Sequence, residues 1–166
     1  MSRRRVLPLG VVIVAALTLS FAGTSAAATP DIFTFPINET FVDDGASAAC
    51  GFQIIATNTG TARVEVFFDK TGAPVRFQVE ENVIESFTAN GVTINGAGHT
   101  LDVFDLRNGT ETLTGLVIRV PLPGGGILYL DRGRLVFDEN GNLVFEAGPH
   151  PSLHGDFDGL CAALTP

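Results

Sequence analysis

Ala62-Arg63-Val64-Glu65-Val66-Phe67-Phe68, then Asp69-Lys70-Thr71-Gly72-Ala73-Pro74, then Val75-Arg76-Phe77-Gln78-Val79-Glu80, is the stretch that decides the fold. On either side of the central six residues, apolar and polar side chains alternate with period two. That spacing puts every second side chain on one face of a strand. Gly72 and Pro74 supply the special backbone angles of a turn between the two strands.

The same pattern continues outward. Upstream, 32–37 and 52–56 read as strands, and 41–49 is small, polar and loop-like. Downstream, 83–89 and 92–94 flank Asn90-Gly91, the dipeptide of tight hairpins. Residues 101–106, 116–120, 127–130, 135–137 and 143–145 follow, separated by Gly-, Pro- or Asn-containing turns. No long amphipathic helix lies between them, which disfavours parallel β-α-β units. The chain therefore reads as all-β: an antiparallel meander of about 8–10 short strands closing into a barrel or forming a sandwich. A short C-terminal helical turn is expected at 160–164. Val64, Val66, Phe68, Val75, Phe77, Val79, Leu116, Ile118, Val120, Leu135 and Phe137 are expected to share one face.

The first 28 residues read differently. Arg3, Arg4 and Arg5 precede the apolar run 11–17, and Ser25, Ala26, Ala27 and Ala28 end it. This is the order of a secretory signal peptide, with the cut expected after Ala28. Ser2-Arg3-Arg4 also resembles the start of a twin-arginine signal, although the ordinary route is favoured. The expected organisation is a signal peptide, 1–28, and one secreted domain, 29–166, without an integral membrane segment after processing. Once Arg3–Arg5 leave, seven basic residues stand against eighteen acidic ones, a net charge of −11. Such a surface repels phosphate backbones and anionic lipid, so nucleic acid is not an expected partner. Cys50 and Cys161 are the only cysteines, and an exported chain favours their pairing.

Catalytic signatures are sparse. Ser47, Ser86 and Ser152 are the only serines after the signal, and none sits in a Gly-x-Ser-x-Gly elbow. The densest cluster of functional residue types is His150, Ser152, His154, Asp156 and Asp158. Its imidazoles and carboxylates are candidate metal ligands, with His99 a possible third imidazole. The spacing matches no zinc motif, and the favoured reading is a polar loop leading to Cys161, with no cofactor. Pairs such as Glu80-Glu81 carry little information without a distance. Twelve phenylalanines, one tyrosine (Tyr129) and no tryptophan after the signal argue against a sugar-binding face. Phenylalanines at alternate positions are core filler or the lining of an apolar cavity.

Val120-Pro121, Gly124-Gly125-Gly126, Leu130-Asp131-Arg132-Gly133-Arg134, Phe137-Asp138, Phe145-Glu146-Ala147-Gly148, His150-Pro151 and Leu160-Cys161-Ala162-Ala163-Leu164 resemble a group of uncharacterised secreted actinobacterial proteins. That resemblance covers about residues 50–166. It implies a source and an extracellular location, with no assigned activity. The arginine-rich, lysine-poor composition fits a GC-rich bacterial source. More loosely, the meander resembles lipocalin-like barrels of the allene oxide cyclase type, a likeness of fold alone. The expected function is a secreted, non-enzymatic binding or structural domain, with an apolar small molecule as candidate ligand. The alternatives are a barrel cyclase or isomerase acting on an apolar small molecule, and a metal-binding protein using 150–158.

Overall fold

The computed structural model describes residues 29–122 and 124–165. The expected signal peptide, 1–28, lies outside the described residues. Seven strands form one antiparallel sheet in sequence order: β1 (Asp31–Val42), β2 (Ile55–Phe68), β3 (Pro74–Ala89), β4 (Val92–Asp105), β5 (Thr110–Pro121), β6 (Ile127–Phe137) and β7 (Leu143–Ala147). Three short helices accompany the sheet among the described residues: α1 (Asp44–Cys50), α2 (Pro151–His154) and α3 (Asp158–Leu164).

The all-β meander is present, with fewer and longer strands than the sequence suggests. Stretches 75–79 and 83–89 are one strand, β3, because Glu80, Glu81 and Asn82 stay extended. Likewise Gly96-Ala97-Gly98, between the expected strands 92–94 and 101–106, lies inside β4, and Asp131-Arg132-Gly133, between 127–130 and 135–137, lies inside β6. The loop expected at 41–49 is the end of β1 followed by α1, with Asp43 as N-cap accepting from the Ala46 N–H at 2.9 Å. The C-terminal turn is α3. The strand order leaves β1 and β7 as free edges of a single sheet, so closure into a barrel is not made among the described strands.

Pairing fixes which side chains share a face. Phe33, Val64, Val79, Asp102, Leu113, Leu135 and Glu146 lie side by side across all seven strands. We call this the inner face. Val66, Phe77 and Phe104 form the next row on it, with the Phe77 and Phe104 rings stacked at 4.3 Å. Most of the expected one-sided set is found here. Leu116 is the exception, because β5 carries an irregularity: Leu116 pairs with Arg132 while Ile118 pairs with Asp131. One extra residue flips the alternation, so Ile118 and Val120 face inward and Leu116 faces outward.

A sheet must bury one face against something. Here α1 and α3 cover only one end of the inner face. Ala46, Leu160 and Leu164 pack there against Ala56, Phe87, Ile118 and Val120, with Ile54, Leu160, Leu164 and Val120 at 1% exposure or less. Cys50 and Cys161 join the two helices, Cα–Cα 5.1 Å across a sequence separation of 111. A cross-link over so long a loop restricts the unfolded chain by roughly 4–5 kcal/mol in the chain-entropy model.

Glycines let neighbouring strands approach closely. A Cβ at Gly98 would collide with the Val117 carbonyl and one at Gly115 with the His99 carbonyl, and Gly115 also has φ +131°. Gly115→Ala should therefore lower unfolding free energy by roughly 2–4 kcal/mol. Gly72→Ala, at φ +85° in an open turn with nothing within 4 Å, should cost about 1 kcal/mol. Denaturant unfolding of the two variants compares them directly.

Candidate functional site

The sheet segregates charge. Glu39, Glu81, Glu85, Asp102, Glu111 and Asp131 all lie on the inner face by register. Arg63, Arg76, Arg119, Arg132 and Arg134, the arginines carried by strands, all lie on the outer face. There Arg63 pairs with Glu65, and Arg76 stacks its guanidinium 4.0 Å from the Phe67 ring. The inner carboxylates have no such partners. Burial, reinforced by Asp43, pushes Glu85 up to about 7. Burial and then the Glu39 charge raise Glu81. Burial followed by Glu111 holds Asp102 well above the usual carboxylate range, and its Oδ1 has no hydrogen-bond partner. The pair Glu80-Glu81, uninformative in sequence, is split by the pleat: Glu80 faces outward and Glu81 inward.

A second group gathers where the chain returns over β6. Asp131, 1% exposed, accepts from His150 Nδ1–H at 2.7 Å and from the Ser152 hydroxyl. His150 is 3% exposed, and its Nε2 faces the Ala147 carbonyl at 3.3 Å. Both ring nitrogens thus lie against oxygen atoms. A Cβ on Gly133 would come within 2.8 Å of His150 Nε2, so glycine there makes room for the ring. The residue types are those of a Ser-His-Asp triad, but the order in space is wrong. A triad needs imidazole between hydroxyl and carboxylate to take the serine proton. Here the carboxylate is in the middle and the imidazole points at a backbone carbonyl. The network ties 148–152 to β6; it does not activate Ser152.

The metal candidates are dispersed. His150 is held by Asp131, while exposed His154 meets Glu146 at 2.7 Å. Asp156 Oδ1 receives a long contact, 3.4 Å, from the Asp158 N–H. His99 bonds Asn82 at 2.8 Å on the outer face, away from Asp131. Among the described residues no group of three or more His, Cys, Asp or Glu is placed to hold a metal ion.

An open groove of about 470 Å³ lies beside this network, lined by Leu128, Tyr129, Leu130, Pro149, His150 and Asp156 among others. Tyr129, 7% exposed, stacks on Phe157 with ring centroids 6.0 Å apart. Its hydroxyl is buried, with the Ser152 hydroxyl as its polar neighbour. Burial and then the Asp131 charge raise its pKa; the Ser152 hydroxyl acts in the opposite sense, and Asp43 and Asp156 add to the rise. A second open groove, about 440 Å³, lies on the sheet at Thr59, Gly60, Asn82, Val83 and Gly98 and has no charged lining residue. The sequence pointed to His150 and its neighbours but not to Asp131 or Tyr129, whose roles depend on a long-range return of the chain. Compared with known proteins, the chain matches no family model, no curated protein and no solved structure.

The raised carboxylates set the sign of the pH dependence. A carboxyl whose pKa is higher folded than unfolded binds its proton more tightly in the native state. That stability is fully present below about pH 4 and is lost as pH rises through about 7, the value of Glu85. Glu85→Gln should accordingly stabilise the protein by about 1–3 kcal/mol at pH 8 relative to its effect at pH 4. Urea unfolding at the two pH values measures the difference; equal effects would show that Glu85 is not held protonated.

Proposed function

We propose that this chain is an exported, non-enzymatic domain that binds a small molecule in the groove beside Tyr129. The observation that carries the reading is the buried Asp131–His150–Ser152 network, which fixes one wall of that groove. Rigid walls lower the entropic cost of binding. A groove with apolar sides and a few convergent polar groups is the usual form of a ligand site. Leu128, Leu130 and Pro149 are among its apolar lining residues, and Tyr129, His150 and Asp156 among its polar ones. The misordered Ser152, Asp131 and His150 favour binding over hydrolysis. Binding of this kind does not need an enclosed barrel interior.

Export rests on separate support. The basic start, apolar run and alanine-rich end of 1–28 have the form of a signal peptide. The Cys50–Cys161 pair suits an oxidising compartment. Among the described residues no helix is long and apolar enough to cross a membrane. The resemblance to secreted actinobacterial proteins points the same way.

Two measurements test the reading. In an amide NMR spectrum, a mixture of small fragments should shift residues 128–130, 150, 156 and 159 together, and a groove-filling Leu130→Trp variant should abolish the response. Shifts scattered over the surface, or confined to another region, would contradict it. N-terminal sequencing of the exported protein should begin within about two residues of Thr29, and an intact Met1 would remove the case for a cleaved signal.

A further inference from the structure

We propose that two copies of this chain pair through the open edge of β1, antiparallel about a two-fold axis at Thr34. The inference goes beyond the groove reading and does not depend on it. The β1–β2 register runs unbroken from Asp31 to Val42 and sets Pro36 opposite Thr61. Proline has no N–H, so that pair is of the kind whose donors and acceptors point away from the neighbouring strand. Residues two apart share this direction. Ile32, Thr34, Asn38, Thr40 and Val42 therefore turn their backbone N–H and C=O groups away from β2, with no strand beyond them among the described residues.

Pro36 selects the register. It offers an acceptor and no donor, so a contact centred on it would set two prolines face to face and lose both central bonds. About an axis at Thr34, the two Thr34 residues exchange both bonds, and each Ile32 N–H reaches the carbonyl of the partner's Pro36. Each proline then costs one bond at the margin of the contact. The side chains fit the same axis. On the inner face Phe33 meets the partner's Phe35, in the closely spaced type of cross-strand pair. On the outer face Ile32 meets the partner's Pro36. A two-fold contact must be self-complementary, and Phe33-Thr34-Phe35 is symmetric about its own centre.

Area and charge agree with a dissociable dimer. Ile32, Phe33 and Phe35 are 52%, 39% and 44% exposed, on the order of 250 Å² of apolar side chain per copy. With the strand backbone, the contact comes to about 1,000 Å² in total, the small end of specific interfaces. In a strongly acidic chain, Asp31 is the only charged residue from 29 to 38, and the axis sets it against the partner's Ile37. The other open edge is a poorer match. β7 has five residues, and the Arg134 guanidinium lies 5.7 Å from its Phe145 ring. Pairing β1 of one copy with β7 of the next would also add chains without closing.

Sedimentation equilibrium of the oxidised protein from about 10 µM to 1 mM should show monomer and dimer, with no larger species. Thr34→Pro should weaken the dimer by at least ~10-fold, because both axial N–H groups go while the β1–β2 hydrogen bonds stay. Thr40→Pro deletes an equivalent outward N–H beyond the paired segment and should leave association unchanged. Melting curves check that both variants keep the fold. Amide hydrogen exchange on the unsubstituted protein gives a second answer that no folding defect can confuse. Exchange should slow at Ile32 and Thr34 as protein concentration rises, and stay constant at Thr40 and Val42. A monomer throughout that range, growth past the dimer, or a dimer that a folded Thr34→Pro leaves intact would overturn the proposal. So would concentration-dependent protection confined to β7 or to another surface.

Discussion

The described strands pair within one sheet, yet a single sheet has two faces and the described residues supply cover for little of either. The contact on which the rest depends is therefore the pair of short helices, α1 and α3, seated on one end of the inner face and joined through Cys50–Cys161. The most deeply buried side chains, Ile54, Val120, Leu160 and Leu164, belong to that contact. Neither helix exceeds seven residues, a length at which isolated helices do not persist in water. Packing and the cross-link hold them in place. Beyond the cap, burial on the inner face comes from neighbouring strands, as where Val64 is shielded between Phe33 and Val79.

The uneven cover explains the electrostatics. Where the helices sit, the inner face is apolar. Farther out it carries Glu81 and Asp102, which are partly desolvated and face no arginine. Their raised pKa values are the physical signature of that intermediate position, since full exposure would leave them ordinary and arginine partners would lower them. Asp131 is the contrasting case: equally inward, far more buried, and supplied with two donors. Natural sequences concentrate such unresolved local conflicts at sites that do something, and the groove beside Tyr129 lies at the same end of β6 as Asp131.

The strand content was legible because period-two alternation is a local property. Val64, Val66, Phe77 and Val79 declare their shared face with no knowledge of the rest of the chain. Strand length was less legible. Gly96-Ala97-Gly98 looks like a break, yet its glycines serve close approach between strands and leave β4 continuous. Leu116 was misplaced because a bulge is an insertion in the pairing, and pairing is not written in one strand alone. The partnership of Asp131 with His150 was invisible for a similar reason. Nineteen residues separate the two, and only the return of the chain after β7 brings them together. The cysteine pairing was the long-range contact most readily anticipated, since with two cysteines there is one possible bond.

The free edge at β1 has one more consequence. Twelve residues of strand with one side open among the described residues, bearing exposed Ile32, Phe33, Phe35 and Phe41, form the kind of template on which other chains polymerise. Pro36 stands at its middle, opposite Thr61. Proline has no N–H to give, so it fits a position whose donor side is turned away from β2. An incoming strand would meet a gap in the hydrogen-bond ladder halfway along. The same residue that ends nothing within the fold thus limits growth beyond it, a safeguard against fibre formation.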